Sequence, residues 1–203
     1  MTIGEIFNPR GPFMNSLISN THSLIVENSM KKAELDLIRY GEVTCVCTVA
    51  WEGGSFTMDT KFMNDAHKDV FAIIVRAMAI RHRATTVTLV TEGWVASAGW
   101  AGRPSQDPNR TEAVTVIVER HDGYSITFGD IRRDPSGKAN GLEVAKTQYL
   151  PSAPNGGGRF ECLLPSLAAQ ADEETREAVE ELLSEFQFEP SGDWPAQEEA
   201  RAK

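Results

Sequence analysis

Asp122–Gly123 stands between Val114, Val116 and Val118 on one side and Tyr124, Ile126 and Phe128 on the other. Two alternating apolar runs joined by Asp-Gly predict a β-hairpin, because the two-residue turns that match strand twist favour these residues. Each strand of such a hairpin buries one face, so further elements must cover it. A second hairpin is expected where the β-branched run EVTCVCTVAW meets Gly53–Gly54 and continues as SFTMD. TTVTLVTEGWVAS reads as a buried strand; PSGKANG turns the chain toward LEVAKTQYL, and RFECLL is expected to add a short final strand after the loop PNGGG.

Three regions carry helical spacing. After an extended entry segment, Met1 to Pro12, the residues Leu17, Ile18, Leu24, Ile25, Met30, Ala33, Leu37 and Ile38 recur at three and four. That suits one long helix or two consecutive ones broken in the polar stretch Ser19–Ser23, ended by Gly41. From Val70 to Ile80 every residue except Arg76 is apolar, and Asn64 or Asp65 precedes as a cap. A helix apolar nearly all round is covered on more than one side. Its basic end, Arg81, His82 and Arg83, suits the negative pole of the helix. Finally, Asp172 caps a helix whose stripe is Val179, Leu182, Leu183 and Phe186. The expected fold is α+β, a mostly antiparallel sheet flanked by helices, in the order helix, two strands, helix, strand meander, helix. One domain over residues 1–188 and a flexible acidic tail over 189–203 complete the expectation.

Charge sharpens this picture. The net charge is −9, yet from Gln170 onward eleven acidic residues oppose only Arg176, Arg201 and Lys203, so the body is nearly neutral. Nucleic acid is a weak expectation for such a chain, and the Arg76, Arg81, His82, Arg83, Arg132, Arg133 and Lys138 cations are the only set that would support it. Three cysteines form no disulfide framework and point to a reducing compartment, hence the cytoplasm. No apolar run approaches a membrane span, and no basic-then-apolar leader opens the chain. Cys45 and Cys47 share a strand face, but two thiols without His or Cys at metal spacing read as core residues, so neither metal nor cofactor is expected. No nucleophile elbow or phosphate-binding loop is present.

The segment least like scaffolding is Glu92–Glu112, EGWVASAGWAGRPSQDPNRTE. Trp94 and Trp100, Arg103 and Arg110, Ser97 and Ser105, and Glu112 could line a pocket that stacks a planar ligand and clamps an anion. The plainer alternative makes the indoles core and lid, with Arg103 or Arg110 tying the loop to Glu92 or Glu112. Trp94, Arg103, Pro104, Ser105, Pro108, Arg110 and Glu112 resemble a pattern in a family of uncharacterised bacterial and phage proteins, over a quarter to a third of the chain; that resemblance implies no activity. By element order alone the expected fold is similar to profilin-like and roadblock-like proteins, which licenses no function. The leading functional expectation is a non-enzymatic domain that binds a protein partner or itself, from the apolar excess on its helices. The alternative is a small-molecule or anion binder, or an enzyme, using residues 92–112. A concave, polar-bottomed pocket beside Trp94 favours the alternative, and a flat apolar helix patch favours the first.

Overall fold

The computed structural model describes residues 12–97, 99–145, 147–150, 160 and 162–185, with side chains in the first helix from His22 onward. Its elements run α1 (Pro12–Tyr40), β1 (Cys45–Trp51), β2 (Gly54–Thr60), α2 (Asp65–Arg81), β3 (Thr86–Val95), β4 (Thr111–Arg120), β5 (Gly123–Arg133), β6 (Ala139–Val144), β7 (Gln148–Leu150), α3 (Leu167–Ala171) and α4 (Glu173–Glu185). This is the expected α+β class. The strands form one open sheet in the order β2-β1-β3-β4-β5-β6, with β7 also beside β5, and every pairing is antiparallel. The expected tail, 189–203, and Phe186 lie outside the described residues.

β4 shows why both faces need cover. Its Val114, Val116 and Val118 point into one hydrophobic compartment with Val26, Met30, Ala33 and Leu37 of α1, while Ile117 enters another with α2, Val179 and Leu183. Helices therefore wall the sheet on both sides, α1 on one and α2 with α4 on the other. Cys45 and Cys47 belong to the α2 compartment, where burial pushes the Cys45 thiol up to about 12 and Cys47 higher still. They act as small apolar residues.

α1 is a single helix, unbroken at Ser19–Ser23 because nothing there removes a backbone donor. Its sheet-facing stripe is His22, Val26, Met30, Ala33 and Leu37, all buried. Leu24 and Ile38, which the spacing placed in the same apolar set, face away and are 59% and 42% exposed. Apolar residues on opposite sides of one helix make the inner side unreadable from periodicity alone. α2 has the expected cap: Asn64 Oδ1 accepts from the His67 amide at 2.9 Å, and Asp172 likewise caps α4 by accepting the Thr175 amide at 2.8 Å.

The hairpin at Asp122–Gly123 turns one residue earlier than its Asp-Gly signal. Arg120 pairs with Gly123, so His121 and Asp122 form the loop. Gly123 serves packing instead: a Cβ there would lie 3.3 Å from the Leu150 carbonyl of β7. LEVAKTQYL forms two strands rather than one, both beside β5, interrupted where the Ala145 amide bonds Phe128 O. The described part of RFECLL adds no strand. Cys162 takes a left-handed φ of +53, and buried Glu119 accepts the Leu164 amide at 2.8 Å, fixing this segment to β4 as an irregular strap.

A polar group staples α1 to the sheet. His22 Nδ1 meets Ser125 Oγ at 3.0 Å and His22 Nε2 lies 3.9 Å from Asp122 Oδ1, with Tyr149 edge-on at 6.1 Å. The set looks like a nucleophile with its base, but both Ser125 and His22 are buried. Burial, then the Arg120 charge, holds His22 below 6.5 despite Asp122. The folded state thus prefers neutral His22. Its contribution is complete above the unfolded pKa and is lost as pH falls below about 6.5 toward the folded value. Urea melts between pH 7.5 and 5 are expected to lose stability more steeply for the wild type than for His22→Gln; equal slopes would remove His22 from this role, since His82, also held low by burial, contributes to both chains. Leu37→Ala, which empties a fully buried site under α1, is expected to cost about 2–5 kcal/mol in the same melts.

Candidate functional site

β3 leaves the sheet after Trp94 and Val95, and the chain returns as β4 at Thr111. Between them Asp107, wholly buried, gathers the excursion. Its carboxylate accepts the Ser97 amide at 2.6 Å, the Ser97 hydroxyl at 2.7 Å and the Asn109 amide at 2.8 Å, while its carbonyl accepts Arg110 Nη1 at 3.1 Å. Burial works to raise this carboxyl, and the Ser97 and Asn109 bonds with the Arg110 charge outweigh it, leaving the pKa below the usual carboxylate range. The loop is ordered further by a short 3-10 turn over Pro104–Gln106 and by Trp100, whose Nε1 donates to the Arg103 carbonyl at 3.1 Å.

Arg110 sits 4.5 Å over the Trp94 ring. It therefore holds the indole from behind, and the tie expected between an arginine and Glu92 or Glu112 is replaced. Glu112 Oε2 instead accepts Arg133 Nη2 at 2.6 Å and Nε at 2.9 Å. Neither indole is core: Trp94 is 45% and Trp100 40% exposed.

Beside this frame opens a cleft of about 840 Å³ at the end of the sheet, between the start of β1, the end of β2, the first turn of α2 and the loop. Of the sequence candidates it brings together Trp94, Arg103, Ser105 and Glu112; Ser97, Trp100 and Arg110 do not border it and serve to hold the loop. Its floor is polar. Glu92 Oε2 accepts the Val43 amide at 2.7 Å, and the Glu92 carboxyl adjoins that of Glu112. Burial raises the Glu92 pKa above the usual value, and the Glu112 charge adds to it, against the Val43 bond and the Arg133 charge. At the rim Lys61 pairs with Glu42, and Lys68 with Asp65. Arg103 differs: among the described residues its guanidinium makes no ion pair or hydrogen bond.

Sequence reasoning passed over the role of Asp107, the Val43 amide as the donor to Glu92, and the two rim pairs. Only Asp107 left a signal, since Asp followed by Pro-Asn favours a turn closed by the Asp side chain. Among the basic residues considered for nucleic acid, Arg81 pairs with Glu180, Arg132 with Glu143, Arg133 with Glu112, and Arg76 donates to the Cys162 carbonyl. No group of three His, Cys, Asp or Glu among the described residues could hold a metal ion, and no helix there is long and apolar enough to cross a membrane.

Asp107→Ala removes the acceptor of three donors, so the loop is expected to open, with red-shifted tryptophan emission and faster backbone exchange over residues 97–110. Because the Asp107 pKa is depressed, its contribution is complete above the unfolded value near 3.8 and fades only as pH falls through the lower folded one. Loop emission unchanged in the variant would remove Asp107 from this role. No protein-family model matches the chain, and no curated protein or solved structure matches it either.

Proposed function

We propose that this chain binds a small polar ligand in the cleft beside Trp94, through an anionic group on Arg103 and a hydrogen-bond donor on Glu92 or Glu112. The observation that carries this reading is the Arg103 guanidinium, unpaired among the described residues, at the edge of a cleft whose other described cations, Lys61 and Lys68, have partners. A guanidinium offers a fork of donors that suits carboxylate or phosphate. The Glu92 carboxyl can accept from an amine or hydroxyl. The volume falls within the range of small-molecule sites, and Trp94 supplies a flat apolar wall. Among the described residues no paired nucleophile and base borders the cleft, which favours binding over catalysis. The thiol of Cys45, at the cleft, is held near 12 and is no nucleophile.

Self-association, the first expectation from the sequence, loses one motive and keeps another. Most of the apolar surface of α2 is taken up inside the fold, with Val70 and Ile73 left exposed, and the outer side of α1 leaves Leu24 and Leu35 59% and 67% exposed.

A thermal-shift screen of amino acids, nucleotides and sugar phosphates tests the ligand reading. A compound at one hundred times its Kd is expected to add about 2.7 kcal/mol, or roughly 5–10 °C for a chain of this size. Arg103→Ala should abolish that shift while leaving the ligand-free melting temperature within about a degree, as expected for an exposed, unpaired side chain. A screen in which no anionic compound raises the wild-type melting temperature, or a shift that survives Arg103→Ala, would overturn it.

A further inference from the structure

The outer side of α1 carries an order of residues that the fold itself does not use. With Asn28 assigned to position a of a heptad, Leu35 also falls at a, Leu24, Lys31 and Ile38 at d, Glu27 and Glu34 at g, and Lys32 and Arg39 at e. The sheet-facing residues His22, Val26, Met30, Ala33 and Leu37 occupy only b, c and f. Thus the heptad seam is the side of α1 turned away from the sheet: residues 24, 27, 28, 31, 32, 35, 38 and 39 are exposed and Glu34 half-buried.

We propose that this seam pairs α1 with α1 of a second copy of the chain, side by side and parallel. Charge selects the occupant and its direction. In a parallel pair each g residue meets the e residue five positions on in its mate, which sets Glu27 against Lys32 and Glu34 against Arg39, each twice by symmetry. An antiparallel pair would set the acidic flank against itself. Glu34 gives one oxygen to the Leu142 amide at 3.0 Å and keeps the other for Arg39. Asn28 at a is the polar residue that fixes register and favours two strands, because its amide is satisfied only by its symmetry mate. Lys31 is the exception at d; its Nζ is drawn back to Glu27 at 2.7 Å, leaving its methylenes across the seam. Carried back along α1, the register reaches Leu17 at d and Met14 at a by sequence position.

Light scattering across a concentration range tests the pairing on the full chain. The wild type is expected to reach twice 22.3 kDa, and Leu24→Glu with Leu35→Glu to stay at one mass with an unchanged monomer circular-dichroism spectrum. Glu27→Lys should weaken the dimer by roughly tenfold, since both symmetry-related pairs are reversed, and adding Lys32→Glu should restore it. In a Cys162→Ser background, Leu24→Cys should form a disulfide between copies, which only the parallel arrangement allows. A wild type that stays monomeric at every concentration, a dimer indifferent to these changes, or a dimer without the Leu24→Cys cross-link would each overturn the proposal. The ligand shift at Arg103 is read separately and decides nothing here.

Discussion

β4 is the strand on which the molecule depends. Valines on one of its faces and Ile117 on the other leave no side that water could occupy, so a helix layer on each side is a physical requirement. Burying a carboxyl at Glu119 on the same strand would be costly alone. It is offset in part by the backbone amides that the strap leading to α3 and α4 brings to it, and Gln170 of α3 donates to the Ala84 and Pro165 carbonyls at 3.2 and 3.0 Å. The C-terminal helices are thus held by polar bonds at one end and by Val179 and Leu183 at the other.

The loop between β3 and β4 follows the same logic at smaller scale. A long excursion has many backbone donors to satisfy, and one buried carboxylate at Asp107 collects two of them together with the Ser97 hydroxyl. What remains on its outer side is free to serve a ligand. Ser97, Trp100 and Arg110, chemically the most inviting residues of the segment, spend their polar groups or their rings on making it rigid, and Arg103 is left over. Rigid support behind a small number of available groups is how binding sites hold their geometry.

Much of this was legible from local pattern. α2 and its Asn64 cap, α4 and its Asp172 cap, Gly41 at the end of α1 and the two hairpins all follow from residues within one turn or one strand. Elsewhere the deciding contact is distant in sequence. Which side of α1 is inside depends on strands over seventy positions away, because both sides carry leucine or isoleucine. At the hairpin the turn falls one residue early with Gly123 against Leu150, and the described part of RFECLL is tied to β4 by a carboxylate and not by a strand ladder. The cleft is the extreme case: Glu42, Lys61, Glu92, Arg103 and Glu112 come from separate segments, and only the sheet register sets them around one space.

One bond at the cleft floor reaches further than its size suggests. The Val43 amide held by Glu92 lies three residues beyond the last turn of α1. A molecule that claims the same oxygen competes with the exit of that helix, and whatever steadies the helix strengthens the amide's hold on it. By thermodynamic reciprocity the two events must answer each other to equal degree, so a single shared acceptor gives the protein a means of reporting occupancy at one end of the sheet to the helix that runs across its face.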